Sequence, residues 1–283
     1  MHINTNGAPR IAHSATAHTA LSHPADQSAT RSRTIAVVGL ALLAVLAAPN
    51  TSIAQSPVGF RSGFTEGNGI APRGRVDVDY GSSVSTAGDT RSVTAGEVVA
   101  HVPLSGRFGL RLHFNSYAWV RTPQAQVAGR EDMGIGTALN VRPNVGWRPA
   151  TALLTRMDVR SGSLPGEASP WRPTVKVALG WRLPAGVTLA SNIGLAALDT
   201  RGDRYTQHFG SLWLGRSITG RVGSFVEAFA FSREARSGPS TRYVRGGVTV
   251  LVTNRMHLDV NASTQLGSAG ERRTLGIGMK HRM

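Results

Sequence analysis

The chain has 283 residues, of which 41% are hydrophobic; it has no cysteine and a formal net charge of +15 at pH 7. That hydrophobic share excludes a chain disordered throughout, and the missing cysteine excludes a disulfide framework and any thiolate metal site. The positive charge is almost entirely arginine, Lys176 and Lys280 being the only lysines. It is spread along the chain without a basic helix, zinc-finger spacing or ribonucleoprotein motif, so nucleic acid is not an expected partner.

Residues 1–30 are polar, rich in Ala, Ser, Thr and His, and without periodicity. They read as a polar leader, disordered or ahead of the true start; His2, His13, His18 and His23 read as solvated, not as a metal tract. Arg31 and Arg33 then form a positive n-region, residues 34–48 (TIAVVGLALLAVLAA) an apolar h-region, and Ser52-Ile53-Ala54 a small-residue cleavage site. About 15 apolar residues fall short of the roughly 20 that span a bilayer as a helix. The pattern predicts a signal peptide over 31–54 and a mature chain from Gln55. With no twin arginine, export follows the general secretory route. Residues 55–73 form an N-terminal segment ahead of a β-domain over 74–283.

From residue 75 onward the chain breaks into about a dozen alternating runs, which place one set of side chains on each face of a strand. Run 75–84 sets Val76, Val78 and Tyr80 against Arg75, Asp77 and Asp79; run 94–104 sets Val98, Ala100 and Val102 against Glu97 and His101. Run 108–114 is the cleanest, with Phe108, Leu110, Leu112 and Phe114 against Gly109, Arg111 and His113. Runs 132–142 and 174–182 follow the same rule, with Arg142, Lys176 and Arg182 on their polar faces. Run 147–159 is interrupted by Pro149, and runs 207–219 and 222–231 are similarly apolar on both faces. The last three runs, within 241–283, set Val244, Val248 and Val250 against Tyr243 and Arg245; Leu258 and Val260 against His257, Asp259 and Ser263; and Leu275, Ile277 and Met279 against Gly276, Gly278 and Lys280.

The breaks also alternate. Ser105-Gly106, Pro184-Ala185-Gly186, Thr219-Gly220-Arg221 and Thr253-Asn254-Arg255 are short turn signals. Residues 87–90, 122–131, 160–173, 199–207, 234–240 and 267–272 are longer and polar. The expected fold is therefore all-β: an antiparallel outer-membrane β-barrel of about 12 strands, preceded by a signal peptide. A soluble periplasmic sandwich would use the same alternation with its apolar face inward. Opposite faces rich in Gly, Ala and Ser suit a crowded lumen better, and Tyr80, Phe108, Trp119, Trp181 and Tyr243 fall at strand ends, where an interfacial girdle would lie.

Several of these runs resemble a known family. Glu131-Asp132-Met133-Gly134-Ile135-Gly136, Ser224-Phe225-Val226-Glu227-Ala228-Phe229, Thr253-Asn254-Arg255-Met256-His257-Leu258-Asp259-Val260 and Gly276-Ile277-Gly278-Met279 resemble strand motifs of the family named for the meta-pathway of phenol degradation. The resemblance begins near Gly74 and covers most of the mature chain. It implies an outer-membrane, transporter-like barrel, with aromatic or other hydrophobic catabolites as solutes.

No catalytic constellation emerges. His257, Asp259 and Ser263 share a strand face about 6–7 Å apart between neighbours, which reads as lumen lining, and there is no G-x-S-x-G elbow. Asp77 and Asp79 flank Arg75 and read as partners for lumen cations, not as a metal site; Glu227 between two phenylalanines requires a cation if it faces inward. No enzyme, cofactor or metal is expected. By parity the lumen lining comprises Arg75, Arg111, Arg142, Lys176, Arg182, Arg245 and Lys280, opposed by Asp77, Asp79, Glu97 and Asp259. Such a net basic lining favours anionic solutes in an open pore, or only holds itself together in a plugged barrel. The expectation is passive uptake of small organic solutes across the outer membrane, with membrane lipid, the solute and the barrel-assembly machinery as partners. A structural or adhesive barrel and a soluble periplasmic ligand-binding β-protein are the alternatives.

Overall fold

The alternating runs fold as strands that pair with their chain neighbours until the first meets the last. The computed structural model describes residues 64–164, 171–200, 203–267 and 272–283; the predicted leader, signal peptide and cleavage site lie outside them. β1 (Asp77–Ala87) and β2 (Thr90–Pro103) form a hairpin closed by Gly88-Asp89. The lower half of β2 pairs with β3 (Phe108–Phe114) and its upper half with β4 (Tyr117–Arg121), so β3 and β4 are one stave broken at Asn115-Ser116. β5 (Gln126–Arg130) pairs with β4 and β6 (Met133–Arg142) with β3, which makes the next stave, broken at Glu131-Asp132. A meander follows: β7 (Ala150–Val159), β8 (Trp171–Arg182), β9 (Val187–Thr200), β10 (Asp203–Ser217), β11 (Val222–Phe231), β12 (Thr241–Thr253), β13 (Met256–Leu266) and β14 (Arg272–Arg282). β14 pairs with β13 and also with β1 over their full length, closing a twelve-stave antiparallel barrel. Closure leaves the sheet without a free edge.

The start of β1, the end of β14 and the turns between β2 and β3, β8 and β9, β10 and β11, and β12 and β13 lie at one end of the barrel. In barrels of this type that is the periplasmic end. Three of the polar stretches expected as long loops at the other end are strand over half their length or more. β1 and β2 continue to the Gly88-Asp89 turn, β5 occupies much of 122–131, and β9 and β10 run to Thr200 and from Asp203. Their polar side chains read as loop, but the backbone ladder continues through them.

The apolar parity faces outward. Leu275, Ile277, Val260 and Ile193 are 61–66% exposed on the outer wall, while their neighbours Gly276, Asp259, Asn261 and Asn192 are buried. A continuous apolar exterior of this kind requires lipid, not water, around it, and this inverts the soluble-sandwich arrangement. The inward glycines are spaces that neighbouring side chains fill. A Cβ on Gly194 would meet the Phe209 ring at 2.6 Å, one on Gly247 the Phe225 ring at 2.5 Å, and one on Gly278 the Asp259 carboxylate at 2.3 Å.

β10 and β11 are apolar on both faces because the lumen itself is aromatic there. Tyr205, Phe209, Trp213, Phe225 and Phe229 are buried inside, and Leu212 stands outside. Tyr243, expected in the interfacial girdle, is also buried among these rings, since it lies opposite inward-facing Phe229. Trp119, by contrast, is exposed on the outer wall.

Candidate functional site: the occupied lumen

Small side chains line one side of the lumen. Ala138, Ala152, Ala178 and Leu154 form a buried cluster on β6, β7 and β8, and Ala190 on β9 is also fully covered. The segment 64–71, just ahead of β1, lies across this wall. Ile70 packs on the alanine cluster, Asn68 lies over Gly180 and Ile70 over Gly109, positions where a side chain on the wall would collide with it.

Three wall sites hold the segment by its polar groups. Asn192 on β9, itself fully buried, accepts from the Glu66 backbone N–H through Oδ1 (2.7 Å) and donates through Nδ2 to the Glu66 carbonyl (3.0 Å). This clamps both backbone polar groups of Glu66 much as a neighbouring strand would. Glu227 on β11 accepts from the backbone N–H groups of Phe64 (3.1 Å) and Thr65 (2.5 Å) and pairs with Arg245 on β12 (3.0 Å). The Thr65 hydroxyl donates to Ser211 Oγ (2.8 Å). The Glu66 carboxylate pairs with Arg111 on β3 and Lys176 on β8, which flank the alanine cluster, and Arg111 also donates to the Gly67 carbonyl (3.3 Å). Charges so deep in a barrel stay ionised only when paired.

Phe64 ends the described segment inside the aromatic half of the lumen. Its ring stacks on Phe229 (5.1 Å between centroids), which stacks in turn on Tyr243 (4.9 Å), while Phe209 and Phe231 meet Phe64 edge-on. Lys176 Nζ lies 5.6 Å from the Phe209 ring and the Arg245 guanidinium 5.0 Å from Phe229, so cations border the rings. Above them the β11–β12 loop folds inward. Glu234 accepts from Tyr243 Oη (2.6 Å) and the Thr241 hydroxyl (2.9 Å), its carbonyl accepts from Tyr205 Oη (2.9 Å), and Arg272 lies 3.7 Å away.

A charged cluster on β1, β2 and β14 lies at the periplasmic end. Arg282 donates twice to Asp77 (2.7 and 2.9 Å), Lys280 lies 3.7 Å from both Asp77 and Asp79, and His101 Nε2 is 2.8 Å from Asp79. Asp259 is buried beside Asn261 on β13. Among the described residues no three His, Asp or Glu side chains converge in a metal-holding geometry.

The residues expected in the lumen therefore separate into groups. Arg111 and Lys176 meet at Glu66, Arg245 meets Glu227, and Asp77, Asp79 and Lys280 meet at the periplasmic cluster. Glu97 is half-buried on β2 across from Gly81. Arg75 is exposed ahead of β1, and Arg182 is exposed at the periplasmic end of β8. Arg142 is exposed on the outer wall: an irregularity between Asn140 and Arg142 shifts the register, so Arg142 pairs with Thr151, next to inward Ala152, and bonds Pro149 O and Thr151 Oγ1. A bulge reverses parity beyond it. Sequence reasoning missed Glu66, Asn192 and the aromatic set; an acid inside the short stretch Thr65-Glu66-Gly67-Asn68-Gly69 was the available signal.

A family model described as Putative MetA-pathway of phenol degradation matches residues 59–283. Among solved structures, the COG4313 outer membrane channel from Pseudomonas putida F1 is similar at 11% identity and TM-score 0.59, over 76% of this chain and 97% of that one. The NanC porin is similar at 8% identity and TM-score 0.52, over 73% of this chain and 98% of that one. No curated protein sequence matches the chain.

Proposed function

The chain belongs to the Putative MetA-pathway of phenol degradation family, and from that membership and its lumen we propose an outer-membrane channel for passive uptake of small organic solutes. The proposal includes export by the general secretory route and insertion by the barrel-assembly machinery. The observation that carries it is the mixed lumen: rings of Phe209, Phe229, Phe231 and Tyr243 are bordered by the cations Lys176 and Arg245, with Arg111 sharing the Glu66 carboxylate with Lys176. An aromatic or otherwise apolar body carrying an anionic group would find both surfaces there. The similarity to outer-membrane channels supports the barrel but leaves the solute to this reading. Segment 64–71 fills the same space, so passage requires its displacement.

Planar-bilayer recordings of the purified protein test this directly, beside a chain lacking residues 64–71. The expected result is small conductance for the intact chain and larger conductance for the shortened one, with slower uptake of aromatic acids in a deletion strain. If neither chain conducts and the deletion leaves uptake unchanged, transport is refuted; altered surface binding in the same strain would favour the structural or adhesive alternative.

A further inference from the structure

Exposed arginines recur in the periplasmic turns. The periplasmic turn after β2 carries Arg107, that after β6 carries Arg148 beside Arg142, that after β8 follows Arg182, that after β10 carries Arg221 and that after β12 carries Arg255. None of these five turns contains an acidic residue, whereas Asp89 and Glu234 sit in turns at the opposite end. All six arginines are exposed, and none of them forms an ion pair among the described residues. Their backbones are fixed: the Arg107 carbonyl accepts from Asn140 N (2.7 Å), that of Arg221 from Leu251 N (2.7 Å) and that of Arg255 from Arg282 N (2.8 Å), while Val145 and Arg148 bridge each other. Arginines are thus placed around the rim on fixed backbone, with no acidic residue in the turns that carry them.

Apolar side chains lie directly beside them. Leu104 is 55% exposed, Val141 57%, Val145 64% and Trp147 85%, and the Trp147 carbonyl accepts from Trp181 Nε1 (3.0 Å), tying the longest periplasmic turn to β8. Exposed aliphatic groups, tryptophan and arginine at one level mark the boundary between acyl chains and headgroups. Arginine there attracts anionic headgroups, and its planar fork matches a phosphate.

We propose that this arginine rim binds anionic phospholipid headgroups of the periplasmic leaflet, forming a ring of acidic lipid around the channel mouth. The inference rests on the outer-membrane placement above but not on transport. The test reconstitutes the full chain, with Trp119 and Trp171 replaced by Phe so that Trp147 and Trp181 dominate the accessible fluorescence, into vesicles. These contain brominated phosphatidylglycerol or brominated phosphatidylcholine as quencher. Quenching should favour phosphatidylglycerol by roughly fivefold in relative association at low salt, a preference that falls as screening shortens. The combined change Arg107→Gln, Arg142→Gln, Arg148→Gln, Arg221→Gln and Arg255→Gln should equalise the two lipids, and the matching Arg→Lys set should retain the preference. A heat-modifiable gel shift confirms folding of each variant, and the salt titration tests the unsubstituted rim if one fails to fold. Equal quenching by both lipids with the arginines present overturns the proposal. So does arginine-dependent sedimentation with purified peptidoglycan in place of a lipid preference, which would assign the rim to the cell wall. Conductance is measured on the same samples, so a rim that binds acidic lipid around a non-conducting barrel would refute transport alone.

Discussion

Glu227 and Arg245 stand directly opposite each other on β11 and β12, Oε2 to Nη1 at 3.0 Å, and the same carboxylate receives the backbone N–H groups of Phe64 and Thr65. One side chain therefore both balances a lumen cation and holds the segment that occupies the lumen. Because Glu227 is fully covered, its replacement by Ala leaves Arg245 buried beside Phe229 without a counter-charge, which costs about 3–5 kcal/mol. Glu227→Ala should lower the urea midpoint of the folded barrel and raise single-channel conductance through release of Phe64 and Thr65. Glu227→Gln keeps an acceptor for one N–H group and should fall between the two. Unchanged conductance in both variants would show that Glu227 does not retain the segment.

Glu66 sets the charge balance beside Arg111 and Lys176. Its carboxylate is shared by Arg111 and Lys176, so neutralising it leaves two cations facing the ion path. A unit charge removed close to that path changes the energy of a permeating anion by about 1 kcal/mol in a well-hydrated pore, or roughly fivefold in permeability ratio. Glu66→Gln should therefore shift reversal potentials toward chloride, and Lys176→Gln in the same chain should restore part of the original ratio. A shift toward potassium would contradict this charge arrangement.

Glycines on the inner and outer faces differ in what a methyl group would meet. On Gly136 a Cβ would lie 2.3 Å from the backbone carbonyl of Thr155, whereas on Gly210 its nearest contact would be 3.8 Å away. Backbone cannot move aside as a side-chain tip can. Gly136→Ala should destabilise the barrel by about 1–3 kcal/mol, and Gly210→Ala should stay within about 0.5 kcal/mol of the starting protein. Folded fraction across a urea series separates the two.

The sequence made the wall legible and the lumen contents far less so. Leu275 and Ile277 alternate with Gly276 and Gly278 because only one face meets lipid, and that contrast survives in a single strand. On β10 and β11 the contrast vanishes, since Phe209 and Phe225 inside are as apolar as Leu212 outside, and parity alone cannot say which face is which. Arg142 was misplaced by an irregularity that leaves no mark in composition, and Arg75 by lying ahead of the first paired residue. Segment 64–71 has no period to detect. Its position comes from Asn192 and Glu227, 126 or more residues away, and from alanines whose smallness becomes meaningful only when four strands stand side by side.

The seam between first and last strands yields the final prediction. Asp77 lies opposite Arg282 and Asp79 opposite Lys280 in the β1–β14 register, so the two strands that complete the ring carry opposite charges at matched positions. The Asp77 side chain is only 6% exposed and takes two hydrogen bonds from Arg282, with Lys280 at 3.7 Å. A slip of one residue would turn those carboxylates toward lipid. Asp77→Arg alone places like charges across the seam next to Lys280 and should reduce the heat-modifiable fraction sharply; Arg282→Asp alone leaves the Asp77 carboxylate facing a second acid. In the double exchange Asp77→Arg with Arg282→Asp the pair is re-formed in reverse. Lys280 and Asp79 then meet the wrong neighbours, so recovery should be partial, with a coupling energy of about 1–3 kcal/mol in a double-mutant cycle. The measurement is urea unfolding of the four proteins in the same vesicles. Strictly additive losses would mean that the seam is held by its backbone ladder and that these charges contribute nothing to its register.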